Sequence, residues 1–204
     1  MNYKNSLLNK YETNNIFELP IDSYYLKNDY KIPYNLDTKY LMNDYNYRVL
    51  VANCFKQLIL NEEVDVFIGV ATAGIPLAIH LSNMFKNEFY YFDIRKNLLI
   101  GTNNLSNLKN KKIFVLDNSV LTGNSFKKTL IFFKKNNFKI CKFLTIYNYN
   151  LYNHKLITSI LDYNDLKHYF SKKINNIQKK ILFEFDKDPK NWVKKYKSQK
   201  CRNL

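Results

Sequence analysis

Residues 111–130, KKIFVLDNSVLTGNSFKKTL, leave few folds open to this chain. Two lysines precede four apolar residues, Ile113, Phe114, Val115 and Leu116, and the run stops at Asp117. A short apolar run bounded by polar residues reads as a buried strand entering a turn. A helical pattern follows at once, from about Phe126. The residues between, Asp117 to Ser125, are hydroxyls, amides, one carboxylate and a glycine among few apolar side chains. Such a turn delivers backbone N–H groups and the positive end of a helix dipole to one point, and Gly123 lets the main chain approach an anion closely. Capping of the helix by Ser125 or Asn124 is the plainer reading of the same residues.

A second unit of this kind lies upstream. Val64-Asp65-Val66-Phe67-Ile68-Gly69-Val70 suits a buried parallel strand. The turn Ala71-Thr72-Ala73-Gly74-Ile75 follows it, with Pro76 expected at the first helical position, where its missing N–H is not needed. Leu77, Leu81, Met84 and Phe85 would share one face of that helix. Before it, Val49, Ala52, Phe55, Leu58 and Ile59 mark a helix within residues 43–60, with Asn43 or Asp44 as its cap. Further strands are expected at Phe89–Phe92 and Lys139–Tyr147. Strand, turn and helix in alternation predict a mostly parallel sheet with ligand sites at the carboxyl ends of its strands.

The flanks are less regular. Leu7, Leu8, Tyr11, Ile16 and Phe17 predict an amphipathic helix within residues 1–19, closed by Pro20. Tyr24–Leu26 and Tyr34–Asp37 read as two short strands about the turn containing Asn28, Asp29 and Lys31. At 204 residues the chain has room for one α/β domain with a modest N-terminal addition, and its 46% hydrophobic and 16% aromatic content excludes disorder. No apolar run approaches the ~18 residues of a membrane span, and the N-terminus lacks a secretory pattern, so a cytoplasmic protein is expected. Cys54, Cys141 and Cys201 show no metal or disulfide spacing, and His80, His154 and His168 form no ligand pattern. The formal charge of +15 is spread along a chain rich in Asn, Tyr, Ile and Phe, which fits a biased codon usage or an anionic substrate better than a nucleic-acid partner.

Asp117-Asn118, then Ser119, the two apolar residues Val120 and Leu121, and Thr122-Gly123-x-Ser125 resemble the signature of the phosphoribosyltransferase family. GVATAGIPLA, the stretch YLKNDYKIPYNLDTKYL with Lys31, Pro33, Tyr34 and Asp37, and a C-terminal passage carrying Asp162, Tyr163, Leu166, Asp188, Pro189 and Trp192 are similar to the orotate phosphoribosyltransferases. The resemblance implies a type I phosphoribosyltransferase fold, with a mostly parallel sheet flanked by helices and a small N-terminal hood. One domain over 1–204 is expected, with helix and hood hairpin in 1–40 and the core and C-terminal helices in 41–204. The implied reaction transfers phosphoribosyl from phosphoribosyl pyrophosphate (PRPP) to orotate, giving orotidine 5'-monophosphate and pyrophosphate in UMP biosynthesis. By the same resemblance Asp117 and Asn118 hold the ribose hydroxyls and, with Lys96, form the catalytic set. Thr122, Gly123, Asn124 and Ser125 receive the 5'-phosphate, and Thr72, Ala73, Gly74, Arg95 and Lys96 the pyrophosphate. Lys31, Tyr34, Leu121 and Tyr147 face orotate. Mg²⁺ is the implied cofactor, with Asp117 acting on it indirectly, and a homodimer the implied assembly.

Two departures from the family pattern carry a physical cost. After Arg95-Lys96 the family has a mobile loop rich in lysine, histidine and glycine, where this chain has Leu98, Leu99 and Ile100 in a shorter segment. Losing one positioned donor to a developing charge costs on the order of a hundredfold in rate. At Asn118 an amide replaces a second carboxylate, and it cannot balance a cation. These departures keep two other readings open: a catalytically weakened paralogue that binds ligand or serves as a partner subunit, and a nucleic-acid-binding regulator on the same fold.

Overall fold

A computed structural model describes residues 2–18, 25–27, 30–102, 104–171 and 174–197. In chain order its elements are α1 (Tyr3–Thr13), β1 (Phe17–Glu18), β2 (Tyr25–Lys27), β3 (Tyr30–Ile32), β4 (Asn35–Leu36), α2 (Tyr45–Leu58) and β5 (Val66–Val70). They continue with α3 (Gly74–Phe85), β6 (Glu88–Asp93), β7 (Leu98–Ile100), a 3₁₀ turn (Leu105–Leu108), β8 (Ile113–Val120), α4 (Asn124–Lys135) and β9 (Ile140–Asn148). The last are β10 (Ile157–Asp162), α5 (Tyr163–Phe170), α6 (Asn176–Lys187) and α7 (Pro189–Lys197). Two compact units result, one from Met1–Leu7 and Thr38–Tyr163, the other from Leu8–Asp37 and Asn164–Leu204. The hood hairpin and the C-terminal helices, placed in separate parts of the chain by sequence reading, thus share one unit. The expectations for Pro20, Tyr24, Asn28, Asp29 and Cys201 lie outside the described residues.

The first unit is built on a six-stranded sheet in the order β10-β9-β8-β5-β6-β7. All its neighbours are parallel except β7, which runs antiparallel to β6. Every residue of β5 is buried, as near-continuous apolar strands covered on both faces require. Val66, Ile68 and Val70 of β5 share a cluster with Phe126, Phe132 and Phe133 of α4. Phe67 points the other way, its ring 5.6 Å from Phe85 of α3 and 6.3 Å from Phe114. The alternation of a strand therefore places α3 and α4 on opposite faces of the sheet. The α2 helix begins where its cap was expected, with the Asp44 carboxylate accepting from the N–H groups of Asn46 and Tyr47.

The second unit departs from its sequence reading at α1. That helix stops at Thr13, and Asn15, at φ 51°, turns the chain so that Ile16 N–H donates to Tyr11 C=O. An αL residue after the last turn ends a helix without proline. Phe17 then enters β1, which pairs with β4 (Phe17↔Leu36), while the hairpin is β2 against β3. Phe17 stacks on Phe170 at 4.3 Å, and Tyr169 Oη donates to Glu12 at 2.9 Å. Asn175 and Gln178 form a capping box on α6, and Pro189 takes the first position of α7. Among the described residues no helix is long and apolar enough to cross a membrane.

Candidate functional site

Because β9, β8, β5 and β6 are parallel neighbours, their carboxyl ends open on one edge of the sheet. Register aligns Asn148 with Val120, Leu116 with Gly69, and Val70 with Phe92. The turns that follow these strands stand in a row. Two main-chain bonds tie them, Tyr149 N–H to Val120 C=O at 3.0 Å and Ala71 N–H to Phe92 C=O at 2.9 Å.

The β8 strand runs four residues past Leu116, so Asp117 and Asn118 are strand residues and not the first residues of a turn. Both are buried. Burial pushes the Asp117 carboxyl up to about 7, against the opposing pull of the Asn118 N–H, the positive charge of Lys39 and the Ser125 hydroxyl. The Asn118 N–H donates to Asp117 Oδ1 at 2.7 Å. Asn118 Nδ2 donates to Thr38 Oγ1 at 3.1 Å, which leaves the amide oxygen, an acceptor, for a ligand hydroxyl. Thr38 is itself held, its C=O accepting from Tyr47 Oη at 3.1 Å. Thr38 and Lys39 were absent from the sequence reading of the site. The Thr38–Asn118 bond spans 80 positions, and no local pattern announces it.

Beyond β8 the chain makes its turn at Leu121–Gly123 and enters α4 with Gly123, at φ 73°, as the N-cap and no side chain capping. The plainer reading of Asn124 or Ser125 as the cap does not hold, because Gly123 occupies the N-cap position and no side chain caps the helix. Thr122 is half-buried beside them. A Cβ at Gly123 would lie within 2.6 Å of the Tyr152 ring, which closes one side of the turn and carries the Lys127 ammonium 4.6 Å from its centre.

The turn after β5 is equally bare of side-chain caps. Ala73 is the N-cap of α3, and the helix starts at Gly74, so Pro76 is its third residue and not its first. That position still needs no N–H, since the first four of a helix have no partner within it. The Ala71–Thr72 peptide is cis, Thr72 is exposed and Ala73 half-buried. A Cβ on Gly74 would overlap the Leu116 carbonyl, and one on Gly69 would meet Gly74 O and Ile75 Cα at 2.7 Å. Glycine at both places lets the turn press against β8, bringing Gly74 beside Asp117.

Arg95 and Lys96 are exposed on the four-residue turn between β6 and β7. The Asp93 carboxylate accepts from the N–H groups of Lys96 at 3.1 Å and Arg95 at 2.9 Å, and these bonds hold its carboxyl below the ordinary range. The divergent loop therefore takes the form of a hairpin. Leu99 pairs with Phe92 and is buried in the core.

Of the residues expected to face the base, Leu121 and Tyr147 are buried in this unit, with Tyr147 edge-on to Tyr149 at 4.7 Å. Tyr34 belongs to the second unit, fully buried, its ring 5.7 Å from Phe17 and 6.2 Å from Phe185. The Lys31 main chain pairs with Leu26 in the same unit, and its side chain lies outside the described residues. All the other expected site residues stand in the row of turns and strand ends.

Residues 45–184 match the family described as the phosphoribosyl transferase domain. Over 100 residues the chain is 31% identical to the orotate phosphoribosyltransferase of Sulfurisphaera tokodaii, covering 48% of this chain and 51% of that one. It thus spans about half the length of this curated relative. Among solved structures, the orotate phosphoribosyltransferase of Francisella tularensis superposes with a TM-score of 0.69 at 15% identity, over 89% of this chain and 98% of that one. The UMP synthase of Leishmania donovani gives 0.72 at 16% identity, over 88% of this chain and 41% of that one.

Proposed function

The chain belongs to the phosphoribosyl transferase domain family, and from that membership we propose that it transfers the phosphoribosyl group of PRPP to orotate, forming orotidine 5'-monophosphate and pyrophosphate. The observation that carries this reading is the pair of uncapped turns on adjacent strand ends, with Asp117 and Asn118 between them. In the reaction the bond from ribose C1' to pyrophosphate breaks and a bond from C1' to N1 of orotate forms, through a sugar carrying positive charge. The N–H groups of residues 122–125 receive the 5'-phosphate at the α4 dipole. Asp117 and the Asn118 amide oxygen accept from the ribose hydroxyls and fix the sugar for in-line displacement. The Thr72–Gly74 turn, with Arg95 and Lys96 from the neighbouring hairpin, receives the pyrophosphate. The N1 proton of orotate is lost easily, so no general base is required there.

Mg²⁺ is part of the same proposal. Among the described residues no group of three or more His, Cys, Asp or Glu stands together. Asp117 and the Asn118 amide oxygen, neighbours on β8, are hard oxygen donors that fit an ion held otherwise by ligand oxygens, since Mg²⁺ usually keeps several waters and takes few protein carboxylates. Asp117 would act on it through water, and the ion would neutralise the departing pyrophosphate.

The test is product formation by the purified chain with PRPP, Mg²⁺ and a panel of bases: orotate, uracil, adenine, hypoxanthine and guanine. Orotidine 5'-monophosphate from orotate alone is the expected result. Turnover of a purine instead would reassign the acceptor, and no turnover with any base would favour the second reading. In that reading the chain is a weakened paralogue that binds ligand or completes a partner subunit, and a homodimer would then exchange no closing loop. It is favoured by one observation, the incorporation of Leu98–Ile100 into the sheet, where a mobile basic segment would otherwise be expected.

A further inference from the structure

Pyrophosphate leaves as a polyanion, and a site that stabilises it needs cations held in place. The closing segment that resemblance would supply is tied into the sheet edge as β7. Arg95 and Lys96 stand on the hairpin turn at one end of the row, on the far side of the Thr72–Gly74 turn from β8. Another cation stands beside β8. Thr38 is pinned from two directions, by Asn118 Nδ2 at its hydroxyl and by Tyr47 Oη at its carbonyl. The next residue, Lys39, is exposed, and its own carbonyl accepts from Met42 N–H at 3.0 Å. The Met42 carbonyl in turn accepts from Arg48 Nη1 at 2.7 Å. Lys39 therefore leaves a braced turn, one residue from a direct bond to Asn118, and its charge acts on the Asp117 carboxyl.

We propose that Lys39 is an anion-binding residue of this site, its ammonium contacting the diphosphate of the activated sugar beside Asp117 and Asn118, in place of a lysine from a closing loop. The inference rests on the reading of the site given above, and it adds the source of the charge. An ammonium carried by a hydrogen-bonded backbone turn leaves less of the main chain to order on binding than one carried by a loop that must first close. A charge-assisted contact to phosphate is among the stronger hydrogen bonds, so its removal is measurable.

Calorimetric titration with PRPP, inorganic pyrophosphate and ribose 5-phosphate, each with Mg²⁺, tests it on the wild type, Lys39→Met, Lys39→Arg and Lys128→Met. Lys128 is an exposed lysine of α4 that serves as the control for general charge. Lys39→Met should weaken PRPP and pyrophosphate by about tenfold or more while leaving ribose 5-phosphate within about twofold. Lys39→Arg should retain most of the affinity. Pyrophosphate binding by Lys39→Met equal to the wild type would overturn the inference, as would an equal loss in Lys128→Met or in Lys39→Arg. A wild-type protein that binds none of the three ligands would overturn the phosphoribosyl reading itself, and this inference with it. Matching unfolding temperatures across the set confirm that each comparison is made on folded protein.

Discussion

A carboxyl group closed off from water keeps its proton to a higher pH, and Asp117 does so up to about 7 in the folded chain. In the unfolded chain it titrates near 3.8, so the folded state binds this proton more tightly. The resulting stability is complete below about pH 4 and is lost as pH rises through 7. The loss is on the order of a few kcal/mol. Asp117→Asn should therefore raise the unfolding temperature at pH 8, change it little at pH 4, and reduce turnover at least about a hundredfold. Melting curves at the two pH values with one rate assay check all three. Ligand affinity should move the other way in the wild type, rising through pH 7 as the carboxylate becomes an acceptor for ribose hydroxyls. Gly123 offers a second residue-scale test. Gly123→Ala meets both a left-handed backbone, costing about 1 kcal/mol, and the Tyr152 ring. Adding Tyr152→Ala should recover the steric part alone, and a double-mutant cycle in urea separates the two.

The hairpin of β6 and β7 is where element and expectation part. If residues 98–100 formed a mobile loop, truncating either leucine would be silent. In the hairpin Leu99 is 3% exposed in the main cluster and Leu98 is 51% exposed. Leu99→Ala should cost about 2–5 kcal/mol in urea unfolding, and Leu98→Ala less than about 0.5. The strands β5, β8 and β9 and the helices α2, α3 and α4 were legible because each carries a local signal: an apolar run, a face at helical spacing, or a cap such as Asp44. A three-residue edge strand carries no such signal. Its pairing with Phe92 is decided by tertiary contact, and the Asp93 bonds that set its turn look like any other polar turn in sequence. Likewise Gly69 and Gly74 were readable as small residues, while the need for their smallness, contact with the backbone of the neighbouring element, was not. The reach of Thr38 to Asn118 was hidden by distance along the chain, and the end of α1 by an asparagine taking the role assigned to Pro20.

Over the whole molecule the formal charge is +15. At the amino ends of the strands Lys111 pairs with Glu88 at 3.0 Å, Lys142 with Glu62 at 2.7 Å, and Lys112 with Glu63. These partners lie at the opposite edge from the row of turns, so carboxylates are spent where no ligand is proposed. Such exposed pairs contribute about 0–1 kcal/mol each, whereas attraction of a polyanion is screened beyond about 10 Å at 0.1 M salt. Raising salt from about 0.05 to 0.5 M should weaken pyrophosphate binding severalfold and shift the unfolding temperature little, as calorimetry and thermal melts would show. The second unit has its own consequence. Its aromatic contacts join residues from distant parts of the chain, Phe17 to Phe170 and Tyr34 to Phe185. A ribosome adding roughly 5–20 residues per second delivers the first member of each pair on the order of ten seconds before the second. During that interval Phe17 and Tyr34 can pack on each other but not on Phe170 and Phe185, so this unit closes only after the late helices have left the ribosome.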